Sequence, residues 1–434
     1  MATVIGWLLF VLALMVSIGL HECGHLIPAK KFGVRVSQYM IGFGPTLWSR
    51  KRGETEYGLK AIPLGGYIRM IGMFPPNPNG DVEVESLSRT QALVESLRAD
   101  SLAEINEGED SRAFYNLSVP KKLTIMAGGP VTNLVLAFVL FTIAFTVIGN
   151  PTTTTRVASV VSCVPTAANP DGLLSTDAQC HGSSKTAAAL AGISAGDELL
   201  FANRKEIATW SDVGVALHDR QGMRTEVSFR SGSTVVTKQV VISTLTTDVL
   251  DEQGVPTGAK TDRGFFGISP EIVNIRQPVS FVFPQVGSMI ISSVKALGTF
   301  PAQVFTTARQ LFTSQKRSPT GPISIVGIGQ ITGEIASAPN VTLSAKAYDF
   351  LTLIASVNLF LFLFNMIPVL PLDGGHIGGA IYEGARRVIA RIRRKPRPGP
   401  VDTAKMWPLA YGVTLLLIAM SLVTVLADIL KPIG

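Results

Sequence analysis

Four stretches of the chain, residues 4–27, 123–148, 350–368 and 407–429, run almost without charge for the roughly 20 residues a helix needs to cross a bilayer. A fifth, 280–312, carries Val282, Val286, Ile290, Val294 and Leu297 at helical spacing. Pro284, Lys295, Pro301 and many Ser, Thr and Gln interrupt it, so the pattern predicts an amphipathic helix lying in the membrane interface. Between the second span and this helix, short Val/Ile/Thr-rich runs at 156–161, 226–229 and 235–242 alternate with turn residues and predict a small mixed β domain. Residues 77–116 are polar and acidic and read as a mobile connector, with a gate over a site as the sharper alternative.

The predicted fold is therefore a polytopic α-helical membrane protein of four transmembrane helices with an inserted α/β domain. It divides into a first core segment (1–149), the inserted domain (150–275), the interfacial helix and a connector (276–345), and a second core segment (346–434). Within the insert, residues 189–207 resemble the part of a PDZ domain in which a short helix leads through Gly192 and Gly196-Asp197 into a strand. Asn203-Arg204 stands where PDZ domains carry Asn-Gly.

Composition agrees with a membrane setting: 47% hydrophobic and 16% charged residues exclude an ordinary soluble enzyme. The net charge of +7 does not point to nucleic acid, because its excess is concentrated in Arg386, Arg387, Arg391, Arg393, Arg394, Lys395 and Arg397, beside apolar segments. That placement reads as positive-inside topology, with a site for anionic lipid or an acidic partner as the minority alternative. Lys30, Lys31 and Arg35 after the first span and Lys121 and Lys122 before the second belong to the same cytoplasmic side. The N-terminus, residues 150–345 and the C-terminus are then extracytoplasmic. With no Lys or Arg before Lys30, the first span lacks the basic start of a cleaved signal peptide and reads as retained. Cys163 and Cys180 fall on the outer side and form a candidate disulfide, two unpaired thiols being the alternative.

Chemistry enters at the end of the first span, in His21-Glu22-Cys23-Gly24-His25. Residues four apart share a helix face, so both imidazoles can bind one Zn²⁺ while Glu22 addresses the water that attacks. Ionisable groups inside an apolar span are costly to bury and are read as functional by default. A hydrolytic zinc site needs a third protein ligand. The candidate segment is 365–375, where Pro368 and Pro371 break the helix and Gly374-Gly375 allow an unusual backbone. Asp373 is the favoured ligand there and His376 its rival, which spacing does not separate. With four spans, the first and third run in the same direction, so His21, His25 and Asp373 lie at one depth near the cytoplasmic face. A fifth span would put Asp373 on the opposite side.

Four motifs in order resemble the site-2 proteases, and within them the bacterial regulator-of-sigma type with PDZ domains. They are His21 to His25; Phe43-Gly44-Pro45 with Ile62-Pro63-Leu64-Gly65-Gly66-Tyr67; Gly129-Pro130-Val131-Thr132-Asn133; and Asn365 to Gly375. The resemblance covers nearly the whole chain. Room for one PDZ domain rather than two makes it closer to the actinobacterial single-PDZ form.

This resemblance implies zinc ligation by His21, His25 and Asp373, one ion per chain, and Glu22 as catalytic base. It places Asn365 and Pro368 near substrate and Gly65 and Gly66 in a membrane-embedded β loop whose edge accepts an unwound substrate strand. The implied activity is regulated intramembrane proteolysis in a bacterial cell membrane. A single-span protein, for the bacterial type an anti-sigma factor, is cut in its transmembrane segment after an extracytoplasmic cut. A peptide or substrate ectodomain is the expected partner of the PDZ-like domain. Asn133 reads as a helix-to-helix hydrogen bond. The alternative function is a non-catalytic PDZ-bearing adaptor with a structural zinc, which leaves Glu22 without a role; a metal or proton transporter lacks the charged residues its path would need.

Overall fold

The computed structural model describes residues 1–77, 88–165, 180, 183–250, 256–313, 317–318, 321–338 and 341–432. In chain order, α1 (Ala2–Lys31) is followed by β1 (Val36–Arg52), β2 (Thr55–Met70), α2 (Arg89–Ala103) and α3 (Val119–Thr142), which continues as a π-helical segment over Ile143–Gly149. The inserted unit holds β3 (Asn150–Val160), α4 (Ala187–Ala191), β4 (Glu198–Ala202), β5 (Lys205–Glu206), α5 (Trp210–Leu217), β6 (Arg224–Ser231), β7 (Thr234–Val241), β8 (Ser243–Leu250), β9 (Pro256–Phe265) and β10 (Ile268–Ile275). The chain closes with α6 (Val279–Leu311), α7 (Ile325–Ser337), α8 (Leu343–Asn365), α9 (Asp373–Ile392) and α10 (Trp407–Leu430).

Two compact units result, one built from Met1–Phe145, Pro278–Arg317 and Gly321–Gly434, the other mainly from Thr146–Gln277. In the first, α1 and α3 cross where neither has a side chain: a Cβ on Gly24 would strike the Gly128 carbonyl, and one on Gly128 the Gly24 carbonyl. α8 lies parallel to α1, with Phe10, Leu14 and Ile18 packed on Ile354. The pair is pinned by a hydrogen bond from Asn358 Nδ2 to Ser17 Oγ (3.0 Å), one turn before His21. α7 seats Gly329 and Gly333 against Trp7 and Thr3 near the start of α1. Asp428 of α10 accepts the Ser324 and Gly327 N–H groups at the start of α7 and pairs with buried Arg317.

Among the described residues, five helices are long and apolar enough to cross a membrane, and α6 is the least apolar of them. Its first turns pack Phe281 on Phe145 (5.7 Å between ring centroids) and Phe283 on Phe138 (4.9 Å), and Phe145 in turn meets Tyr348 at the start of α8. At its other end the Gln310 carbonyl accepts Lys431 Nζ (2.6 Å) just beyond α10. The end of α3, the start of α8 and the end of α10 are one end of the bundle, that remote from His21, and both ends of α6 rest there.

β1 and β2 each fold back on themselves. Gln38, Tyr39, Met40 and Ile41 have partners on both sides, Glu56 to Leu59 on one and Gly66 to Arg69 on the other, while Thr46 to Arg52 pair with Thr55 to Lys60. The segments thus lie in the order 62–70, 36–43, 55–60, 46–52. Gly42 (φ +90°) and Gly44 (φ +83°) supply the left-handed backbone at the fold in β1.

The acidic connector is partly helical, contrary to the expectation of a solvated loop. Ser88 and Gln91 form a capping box at the start of α2. Buried Arg98 reaches Asp402 (2.6 Å), and Ser101 Oγ accepts the Phe74 N–H. Asp81, Glu83 and Glu85 lie outside the described residues. Lys122, read as a flanking charge, is buried and paired with Glu383 of α9 (2.8 Å), which also holds Arg387 (2.7 Å).

In the second unit an antiparallel sheet in the order β10-β3-β4-β6-β7, with β5 on β4, packs α4 and α5 over a core of Val157, Leu199, Val227, Phe229, Ile242 and Phe266. Gly192 (φ +75°) ends α4 in the left-handed region. Asn203 (φ 52°) and Arg204 (φ 63°) make the tight β4–β5 turn that Asn-Gly usually makes, at a steric cost for Arg204. β8 and β9 form a separate hairpin, and Cys163 and Cys180 are joined by a disulfide.

Candidate metal centre

The last turns of α1 and the first residue of α9 bring three donor atoms to one point. His21 Nε2 lies 3.2 Å from His25 Nε2, and Asp373 Oδ2 lies 3.3 Å from the first and 3.4 Å from the second. A tetrahedral ion with bonds of about 2.05 Å sets its ligand atoms about 3.3 Å apart. The three edges therefore fit such an ion, and two imidazoles with a carboxylate are a donor set that suits zinc.

The surroundings leave room for the ion. A Cβ on Gly129 of α3 would come within 2.7 Å of His21 Nε2 and closer still to His25 Nε2, so that position stays empty only because it is glycine. Gly374 and Gly375 let α9 start directly on the turn after α8: side chains there would strike the Ile367 carbonyl and the Leu370 N. Asp373 is thereby delivered at the first turn of its helix.

Both imidazoles are held from behind. His25 Nδ1 lies 2.7 Å from the Ile125 carbonyl and His21 Nδ1 3.1 Å from the Asn133 amide. With Nε2 of each ring turned toward the ligand cluster, Nδ1 carries the hydrogen and needs an acceptor. The Ile125 carbonyl is one. For His21 the facing atom is Asn133 Nδ2; a half-turn of that amide, whose oxygen is buried and has no other partner, brings Oδ1 to Nδ1 as the acceptor a metal-bound ring needs.

Glu22 is buried between the ligands, with the Ile68 backbone of β2 beside its carboxylate. A Cβ on Gly66 would come 3.1 Å from Glu22 Cγ and 2.9 Å from Ile18 Cγ2. The bare glycine backbone thus lets segment 62–70 press against α1 beside Glu22. His376 is not part of the donor cluster: its ring faces Phe74 (6.4 Å between centroids) and lines a small cavity with Lys122 and Glu383. Asn365 is the last residue of α8, half-buried, and Pro368 is exposed in the turn that follows; neither belongs to the ligand cluster. Asn133 is the residue whose importance spacing concealed. It does bond helix to helix, but onto a candidate metal ligand.

The chain matches peptidase family M50 over residues 9–396 and belongs to that family, the site-2 proteases. It is 31% identical to zinc metalloprotease Rip1 of Mycobacterium tuberculosis strain H37Rv over 446 residues, covering 100% of this chain and 99% of the relative. Rip1 of Mycolicibacterium smegmatis is also 31% identical, over 99% of this chain and 98% of its own. Metalloprotease MmpA of Caulobacter vibrioides is 27% identical over 88% and 86%. The protein is thus a metalloprotease of a zinc-dependent family, and its long apolar helices make it a multi-pass membrane protein. The resemblance seen in the motifs is in this respect correct.

Proposed function

We propose that this protein is an intramembrane zinc endopeptidase that cuts the transmembrane segment of single-span membrane proteins, anti-sigma factors among them, after a first extracytoplasmic cut. One zinc ion per chain sits between His21, His25 and Asp373 near the cytoplasmic face. The observation that carries this reading is the buried Glu22 beside three converging ligand atoms and beside an edge strand, at about 30 Å along α1 from Ala2, against a hydrocarbon core about 30 Å thick. Four spans and an interfacial α6 belong to the same reading, supported by the common end on which both termini of α6 rest. An extracytoplasmic inserted domain agrees with its disulfide, since such bonds persist in oxidising compartments.

A bound zinc ion supplies Lewis acidity, which readies water near neutral pH and polarises a carbonyl. Glu22 accepts the proton of the attacking water at its carboxylate and returns it to the leaving amine nitrogen. A helical substrate offers its carbonyls to its own backbone, so it must unwind before hydrolysis. The edge of segment 62–70, with Gly65 and Gly66, takes up the released backbone as an added strand, and Asn365 and Pro368 line its path. The inserted domain takes a peptide or the substrate ectodomain as its partner. A purely structural zinc gives Glu22 no task, which disfavours an adaptor.

The test is cleavage of a panel of truncated single-span proteins in liposomes by the wild type and by Glu22→Gln. Wild-type cutting that falls on the order of 10²- to 10⁴-fold in the variant is expected; equal cutting by both contradicts the mechanism.

A further inference from the structure

α9 carries its metal ligand at one end and an unusual surface at the other. It runs antiparallel to α3: Asp373 stands at the level of Gly129, Glu383 meets Lys122, and a Cβ on Gly384 would lie 3.3 Å from Val119. The helix therefore descends from the metal centre past the start of α3 and continues for two more turns. The side turned to the protein is built of Gly375, Gly379, Ala380 and Glu383, all buried. On the opposite side Ile381, Tyr382, Val388, Ile389 and Ile392 are exposed, Ile392 by 75%. At 100° per residue these five span an arc of about 120°. A stripe of this kind facing water is unfavourable.

Charge identifies what covers it. Arg391, Arg393, Arg394, Lys395 and Arg397 follow directly, all exposed, and among the described residues none has an acidic partner. No Asp or Glu occurs between Glu383 and Asp402. The helix macrodipole accounts for one or two cations at a C-terminus, not five. Arg386 lies over the Tyr382 ring (5.9 Å), a pairing of aromatic and cation that suits a membrane boundary. The segment is tied to candidate spans at both ends, α8 ending at Asn365 and α10 beginning at Trp407.

We propose that α9 crosses the inner boundary of the bilayer, setting its apolar stripe against the acyl–headgroup zone and binding anionic phospholipid headgroups through Arg391, Arg393, Arg394, Lys395 and Arg397. Because α9 begins at Asp373, the lipid contact anchors the helix that delivers the third metal ligand. This inference rests on the cytoplasmic position of the end of α9, not on the peptidase chemistry.

The full-length protein is purified in detergent and its retention of phosphatidylglycerol and of phosphatidylcholine compared by native mass spectrometry. The variant R391Q/R393Q/R394Q/K395Q/R397Q and its all-lysine counterpart at the four arginines are tested alongside, with zinc content measured for each. The wild type and the lysine variant should retain phosphatidylglycerol on the order of tenfold better than phosphatidylcholine, and the glutamine variant should bring the two lipids near parity while keeping its zinc. Parity in the wild type, an undiminished preference in the glutamine variant, or displacement of phosphatidylglycerol by excess inorganic phosphate would each overturn the proposal. Loss of zinc with an unchanged lipid preference would also count against it.

Discussion

The side-chain amide of Asn133 on α3 lies 3.1 Å from Nδ1 of His21 on α1, 112 residues away in the chain. The facing atom is Nδ2, and with the amide turned so that its unpartnered oxygen faces the ring, Asn133 accepts from Nδ1–H and holds Nε2 toward His25 and Asp373. Residues that orient metal-bound imidazoles typically contribute 10- to 100-fold in affinity. Asn133→Ala should weaken zinc binding by about that factor, and Asn133→Asp, which keeps an acceptor, should restore most of it. Competition with a chelator of known affinity measures both. Equal affinity in Asn133→Ala and wild type would leave the contact as helix packing alone.

Gly129 leads to a sharper expectation. A methyl group at this position occupies the space in front of His21 Nε2 and His25 Nε2. Gly129→Ala should therefore abolish both zinc binding and cleavage while the purified protein remains folded by circular dichroism. A variant that holds zinc normally would mean that the ion does not sit where the three donor atoms converge.

Lys122 and Glu383 link α3 to α9 through a buried ion pair, with side-chain exposures of 5% and 2%. Removing one partner of such a pair leaves an uncompensated charge and costs about 3–5 kcal/mol. Lys122→Ala should lower the thermal stability of the purified protein in detergent, and zinc occupancy should fall with it, because α9 carries Asp373. Unchanged unfolding would show that the Glu383–Arg387 contact alone satisfies the carboxylate.

What the sequence made legible was local. His21, Glu22 and His25 sit within five residues of one helix, so their spacing alone predicts a shared face. The Pro/Gly breaks around Asp373 likewise mark a backbone ready to present a side chain. Asn133 could not be assigned in the same way, since its partner lies on another helix and nothing in the run from Gly129 to Asn133 points to His21. Spacing did not separate Asp373 from His376, since both occupy the first turns of one helix; the family resemblance favoured Asp373, and the Phe74 ring shows which way His376 faces. α2 was hidden by its composition: acidic and polar residues suggested a solvated connector, whereas Arg98 is buried against Asp402. The doubling back of β1 at Gly42 and Gly44 left no periodic signal, as strand alternation simply restarts after the fold.

If Asp373, and not His376, completes a zinc site with His21 and His25, the number of zinc ions per chain separates the two residues. It is counted by inductively coupled plasma mass spectrometry in wild type, Asp373→Ala and His376→Ala purified and dialysed together. About one zinc per chain is predicted in the wild type and in His376→Ala, with near-complete loss in Asp373→Ala. Retention of zinc by Asp373→Ala together with its loss from His376→Ala would contradict the assignment.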